Sequence, residues 1–248
     1  MKLDVSTVLV QWSTGGLFFG WITTRHRIVG LGYGWLLRSV YGGLALIAIL
    51  AGAAGVSGWL LAGALGVVAG AAGALLLSVI RRDLNRFPPA VDLVAPVIGL
   101  VGLVGAAAAV GGPYPLALAR LVVGAAFLGV LTDAMLLGHW YLVQPGLGRE
   151  PVKELVRDAA IVWPFEVAVF LWPVGMLQVF TGTVSDGYQG LLGWVWVACA
   201  VTTIVLVYVT WRALQEPYYS AVMAATGLLY LAILTGFGTD LVARAVLS

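Results

Sequence analysis

The sequence predicts an all-α, polytopic membrane bundle of about eight transmembrane helices, and three observations predict it. Of the 248 residues, 61% are hydrophobic and 10% charged, against roughly 45–50% and 25% in soluble domains. Mean hydropathy is +1.02. Apolar runs near the ~20 residues needed to cross a bilayer core recur along the whole chain. Basic residues gather in alternate turns between those runs. A soluble fold of this length cannot hide so much apolar surface, so the expected solvent is lipid.

The runs lie at approximately 5–24, 33–55, 58–80, 91–111, 116–142, 156–180, 189–211 and 218–246. They are continuous rather than alternating, which points to helices and away from barrel strands. The first run follows Lys2 and Asp4 without a clear small-residue cleavage site, and reads as an uncleaved span rather than a signal peptide. The third run places Gly63, Gly66, Gly70 and Gly73 on one helix face; the fourth adds Gly99, Gly102 and Gly105. Small residues let helix backbones approach where lipid supplies no hydrophobic drive, so the third run should pack on the fourth, with a subunit interface as the alternative. The sixth run carries two Trp-Pro pairs, Trp163-Pro164 and Trp172-Pro173. Proline lacks an N–H, so each should free the carbonyl four residues earlier, at Ala160 and Val169. Trp211, closing the seventh run, sits where an interfacial aromatic belt is expected. In the last run Asp240 and Arg244 form an i,i+4 pair read as structural; Asp92, beside the turn after the third run, needs no special role.

The turns after runs 1, 3, 5 and 7 carry Arg25 and Arg27; Arg81, Arg82 and Arg86; Arg149, Lys153 and Arg157; and Arg212. The intervening turns carry no basic residue. By the positive-inside rule the basic turns are cytoplasmic and both termini lie outside, in a cell (inner) membrane. The net charge of +2 and the lack of a basic patch elsewhere argue against a nucleic-acid partner. A single cysteine, Cys199, permits no intrachain disulfide and no CxxC motif. No phosphate loop, zinc motif or nucleophile–base set is present, so no catalytic or metal-binding residue is assigned and enzyme status stays open.

Two stretches recur in order, four runs apart. His26 is followed by Gly30-Leu31-Gly32 and Arg38; His139 is followed by Gly146-Leu147-Gly148 and Arg157. Arg82, Asn85 and a proline are echoed by Arg212, Gln215 and a proline. This reads as a tandem 4+4 duplication, 1–112 and 113–248, about an axis along the membrane normal. Each half would build one cytoplasmic rim: His26, Arg38, Arg82 and Asn85 in the first, His139, Arg157, Arg212 and Gln215 in the second. Arginine forks and neutral imidazoles suit an anion or a quinone carbonyl; the plainer reading is that they snorkel to lipid phosphates. Haem across the axis is unexpected, since only two histidines exist.

Asp133 and Glu166 stand deep in apolar runs 5 and 6, where a carboxylate costs about 2.5–3.5 kcal/mol. Counting from the basic turn places them at similar depth, where facing acids would share a proton. Arg120, near the other end of run 5, is the expected cation partner of Glu166. Their matched first-half positions, about Gly20 and Ile47, cannot ionise, so a site unique to the second half leans on the two acids. A 4+4 bundle resembles, in architecture alone, the eight-helix membrane subunits of some quinone-linked respiratory enzymes. The expected function is an inner-membrane subunit of a redox or energy-coupling assembly that contacts quinone or relays protons, with other membrane or redox subunits as partners. Alternatives are a small secondary transporter coupled through the same acids and a membrane assembly protein without a ligand.

Overall fold

The computed structural model describes residues 4–52, 58–81, 87–109, 112–144, 146–172 and 175–247. Every regular element among them is helical: α1 (Val5–Thr24), α2 (Leu31–Ala51), α3 (Gly58–Arg81), a 3₁₀ turn (Pro89–Leu93) leading into α4 (Val94–Ala107), α5 (Tyr114–Trp140), α6 (Glu150–Leu171), the one-turn α7 (Leu177–Phe180), α8 (Leu191–Ala213) and α9 (Tyr219–Val246). Two acids set helix starts. The Asp4 carboxylate accepts from the Thr7 amide at 3.0 Å, satisfying a donor that α1 itself cannot. The Asp186 carboxylate accepts from the amides of Tyr188, Gly190 and Leu192, each at 2.9 Å, and opens α8.

Six helical stretches are long and apolar enough to cross a membrane: α2, α3, Pro89–Ala107, α5, α8 and α9. The chain is a multi-pass membrane protein that contacts lipid. Bulky apolar side chains such as Leu50, Leu76, Ile80, Val205 and Leu234 stand exposed on its outer faces. The helices α1 and α6 are less apolar for different reasons. Helix α1 lies in the interior, and its buried Ser6, Gln11, Ser13 and Thr14 face protein rather than lipid. Helix α6 starts at Glu150, ahead of the expected 156, so its first turns carry Glu150, Lys153, Glu154, Arg157 and Asp158.

The centre of the bundle is the α1–α5 crossing. A Cβ on Gly129 would stand 2.2 Å from the Gly15 carbonyl carbon, and one on Gly15 would stand 1.7 Å from the Ala125 oxygen. Only glycine permits this approach. Around the crossing, α1 packs on α2, α2 on α3, α3 on α4 and α4 back on α1; in the second half α5 packs on α6, α6 on α8, α8 on α9 and α9 back on α5. The expected α3–α4 contact is present: a Cβ on Gly63 would stand 2.8 Å from Gly102 Cα, and one on Gly70 2.9 Å from Ala95. Gly73 meets nothing and does not share in it. Helix α6 runs unbroken through Pro164.

The four basic turns meet at one end of the bundle. Arg25 pairs with Glu154 at 2.8 Å, Arg27 donates to the Phe87 carbonyl at 3.5 Å, and Arg149 donates to the carbonyls of Pro217 and Tyr218 at 2.7 and 2.9 Å. This end is called the basic end below.

Candidate functional site in the membrane interior

Two polar centres occupy the interior, one on each side of the α1–α5 crossing. Asp133, fully buried on α5, lies on the basic-end side. The Tyr41 hydroxyl of α2 donates to Asp133 Oδ1, and the Tyr33 hydroxyl donates to the Asp133 carbonyl at 3.2 Å. Tyr33, Leu37 and Tyr41 are spaced by four, which puts them on one face of α2. The neighbouring Thr132 hydroxyl accepts from Trp12 Nε1 of α1 at 2.8 Å. Asp133 Oδ2 has no hydrogen-bond partner and points toward Gly20 of α1, where a Cβ would stand 3.5 Å away. Among the described residues no lysine, arginine or histidine forms an ion pair with Asp133.

The second centre lies on the far side, about 13 Å further along α5 at 1.5 Å per residue from Asp133 to Gly124. Here Arg244 Nε pairs with Asp240 Oδ2 at 2.7 Å, both buried. Arg244 Nη2 donates to the Arg120 carbonyl at 3.2 Å, and Gln11 Nε2 donates to the Leu121 carbonyl at 2.7 Å. Gly124 leaves room for all of this; a Cβ there would stand 2.6 Å from Arg244 Nη2 and 3.0 Å from Asp240 Oδ1. Glu166, fully buried, has Asp240 and Arg244 as its ionisable neighbours. The guanidinium groups of Arg120 and Arg244 approach the Phe170 ring at 5.5 and 5.7 Å. Arg120 Nε donates to the Val169 carbonyl at 2.9 Å. That carbonyl is the one expected to be freed by Pro173, itself outside the described residues. Val169 stands in the last turn of α6, which ends at Leu171, where a carbonyl has no partner within the helix, and the arginine supplies one.

These positions revise several sequence expectations. Asp133 and Glu166 do not share a proton: the first faces tyrosines of α2, the second the Asp240–Arg244 pair of α9. The depth estimate failed because α6 begins about two turns earlier than its apolar run, which carries Glu166 further from the basic end. Arg244 is the cation beside Glu166, so the i,i+4 pair belongs to the site. Arg38 is not a free rim residue. Its guanidinium is buried and grips Asp92 with Nε and Nη2, both at 2.8 Å, donates from Nη1 to Ser78 at 3.1 Å, and stacks on Phe87 at 4.6 Å. Asp92 therefore has a role, as the counter-charge of a buried arginine.

At the basic end a cavity of about 500 Å³ opens between α1, α6 and α8, lined by Thr23, His26, Lys153, Glu154, Arg157, Trp211 and Gln215 among others. It gathers His26 from one expected rim with Arg157 and Gln215 from the other. His26 Nε2 accepts from Arg25 Nε at 3.0 Å, and Arg157 lies 3.3 Å from Asp158. His139 is elsewhere, exposed, 3.5 Å from the Tyr230 hydroxyl. Arg212 is exposed and outside the cavity lining. Arg82 and Asn85 lie outside the described residues. Sequence reasoning missed Tyr33 and Tyr41; their four-residue spacing in an apolar run was the available signal. The chain matches no protein-family model, no curated protein and no solved structure.

Proposed function

We propose that the chain is an inner-membrane subunit of a redox or energy-coupling assembly, with Asp133 as the group that takes up and releases a proton and Glu166 as a second acid. One observation carries the reading. Of the buried aspartates, Asp92 and Asp240 are each clamped by an arginine, whereas Asp133 is held by a tyrosine hydroxyl; carboxylate oxygens without a hydrogen-bond partner occur on Asp133, Asp240 and Glu166. A clamped carboxylate can be protonated only by dismantling a buried ion pair, which is expensive. A carboxyl with a hydroxyl partner exchanges a proton by reorienting one O–H, because that hydroxyl both donates and accepts. Intramembrane acids mark ion pathways and proton relays in general. Proton exchange is favoured over quinone contact at Asp133, since Tyr33, Tyr41, Gly20 and Leu37 close around it and leave no room for a ring.

The 4+4 repeat belongs to the same reading. The register that matches His26 with His139 also matches Gly16 with Gly129 and Gly20 with Asp133. Those matched positions meet: a Cβ on Gly129 would stand 2.6 Å from Gly16 N, and one on Gly20 3.5 Å from Asp133 Oδ2. Residues on a two-fold axis meet their own counterparts in this way. The helix-neighbour order is also the same in both halves. Asp133 then sits at the interface between repeats, where coupling sites of repeat-built transporters lie. With eight spans, the basic end is cytoplasmic and both termini are outside.

A secondary transporter coupled through the same acids is the second reading, favoured by the basic-end cavity, whose volume falls within the range that accommodates small solutes. The test is proton flux into vesicles reconstituted with the purified protein and any subunits that co-purify natively. Asp133→Asn is expected to abolish the flux and Glu166→Gln to reduce it. Flux that survives both substitutions together sinks the reading.

A further inference from the structure

We infer that the buried Arg38–Asp92 pair is the port through which water and protons from the basic end reach Asp133. The inference rests on the reading of Asp133 as a proton-exchanging acid, and adds the route and the residues that position it.

Two small cavities flank the ion pair. The outer one, about 20 Å³, is lined by Arg27, Gly30, Phe87 and Pro89 together with Thr24, Gly34, Arg38 and Asp92, and reaches the exposed Arg27. The inner one, about 10 Å³, is lined by Leu17, Gly20, Trp21 and Leu37 together with the same Thr24, Gly34, Arg38 and Asp92. A water needs roughly 10–15 Å³ and two to four polar partners. Each cavity holds about one, with the Thr24 hydroxyl, the Arg38 guanidinium and the Asp92 carboxylate as its partners. Thr24 Oγ1 donates to the Gly20 carbonyl at 2.9 Å and lies 3.4 Å from Asp92 Oδ2, so by rotating its O–H the hydroxyl links α1 to the pair.

The inner cavity ends on Gly20 and Leu37. Across Gly20 stands Asp133 Oδ2, the fully buried carboxylate oxygen that no protein group satisfies. A Cβ at Gly20 would stand 2.7 Å from Leu37 Cδ1 and 3.5 Å from Asp133 Oδ2, so the glycine and leucine that close the cavity also flank the acid. The groups facing this route are Tyr33 and Tyr41 from α2, Thr132 on α5 itself, Trp12 and Thr24 from α1, and Asp92 before α4. On the other side the Gly15–Gly129 crossing brings backbone against backbone.

The step balances simply. The Asp133 O–H bond breaks, its proton passes to the cavity water, and the carboxylate keeps the electron pair while the Tyr41 hydroxyl donates to it. From the cavity water the proton passes through the outer cavity to bulk water at the basic end; the Asp92 carboxylate, held as an ion pair with Arg38, attracts it along that path. Arg38 and Asp92 act through Asp133 and are positioning residues.

The experiment follows the Asp133 carboxyl by infrared spectroscopy of the reconstituted full-length protein on transfer from H₂O to D₂O, its band identified by loss in Asp133→Asn. In the wild type the band shifts promptly. In the Arg38→Leu/Asp92→Leu double variant the exchange slows by about tenfold or more, because a hydrated proton crosses apolar packing only at high cost. Gly34→Ala provides a variant that keeps both charges. Gly34 lines both cavities and its Cβ would stand 3.0 Å from the flexible Arg38 Nη1, so it too slows exchange, whereas Asp92→Glu preserves it. Wild-type exchange rates in Gly34→Ala, or in the double variant once folded, overturn the port. Absence of any Asp133 carboxyl band over the whole pH range in which the protein stays folded overturns the proton-exchange reading itself, and the port with it.

Discussion

Asp133 and Asp240 are both fully buried aspartates on long helices, yet their surroundings are opposite. Asp240 meets Arg244 one turn away, with Glu166, Arg120 and Gln11 around it; Asp133 meets tyrosines and a glycine gap. The difference teaches how a membrane bundle separates holding from chemistry. An ion pair in low dielectric is costly to assemble but more costly to break, so its charge state is locked. A carboxyl among hydroxyls can change its charge state without stranding a cation. The Gly15–Gly129 crossing keeps the two environments apart.

The sharpest way to break this comparison is to remove the cation from one centre and the charge from the other. We expect Arg244→Leu to destabilise the protein by about 3–5 kcal/mol, because Asp240 loses the partner on its own helix. Asp133→Asn keeps an acceptor for Tyr41 and should change stability by less than about 1 kcal/mol. Equilibrium unfolding in mixed micelles measures both; similar losses in the two variants would erase the distinction between the centres.

A smaller effect tests the barrier between them. The Cβ of Gly129→Ala cannot be accommodated against Gly15 without spreading α1 from α5, at about 1–3 kcal/mol for overpacking. Gly73→Ala, whose Cβ meets nothing, is the matched control and should stay within about 0.5 kcal/mol. Equal behaviour of the two variants in the same unfolding measurement would show that the crossing does not bind the halves tightly.

The smallest effect concerns an acid outside the membrane. The backbone amide of Gly190, with those of Tyr188 and Leu192, holds the Asp186 carboxyl below its usual value against an opposing effect of desolvation. A group with a depressed folded pKa contributes stability above its unfolded value, near 3.8 here, and loses it as pH falls through the folded value. Amide-exchange protection at Tyr188, Gly190 and Leu192 should therefore persist at neutral pH and fade under strong acid, while Asp186→Ala removes it at every pH. Unchanged protection in that variant would mean that α8 starts without this cap.

Much of the fold was legible because lipid imposes a strong rule. Backbone polar groups must be satisfied within the segment, so a long apolar run is a helix. The run boundaries at 58–80 and 218–246 agree with α3 and α9 to within a residue. The start of α6 was misjudged because hydropathy marks only the apolar run, and the same helix begins ahead of it, in the charged residues from Glu150 onward. The site was half legible. Asp133 and Glu166 announce themselves as acids in apolar runs. Which groups they meet was not legible, because Tyr41 of α2 and Arg244 of α9 reach them by packing between helices distant in the chain.

The amino-acid sequence by itself determined that this chain lives in lipid, that it is helical, that Asp133 and Glu166 are acids within apolar runs, and that basic residues fall in alternate turns. Those are consequences of transfer free energies and backbone hydrogen bonding, which act locally. Which acid meets an arginine and which meets a tyrosine was decided only by tertiary structure. The choice depends on how α1 and α5 cross at paired glycines and on which helix face each crossing turns inward, and that is a property of the whole bundle.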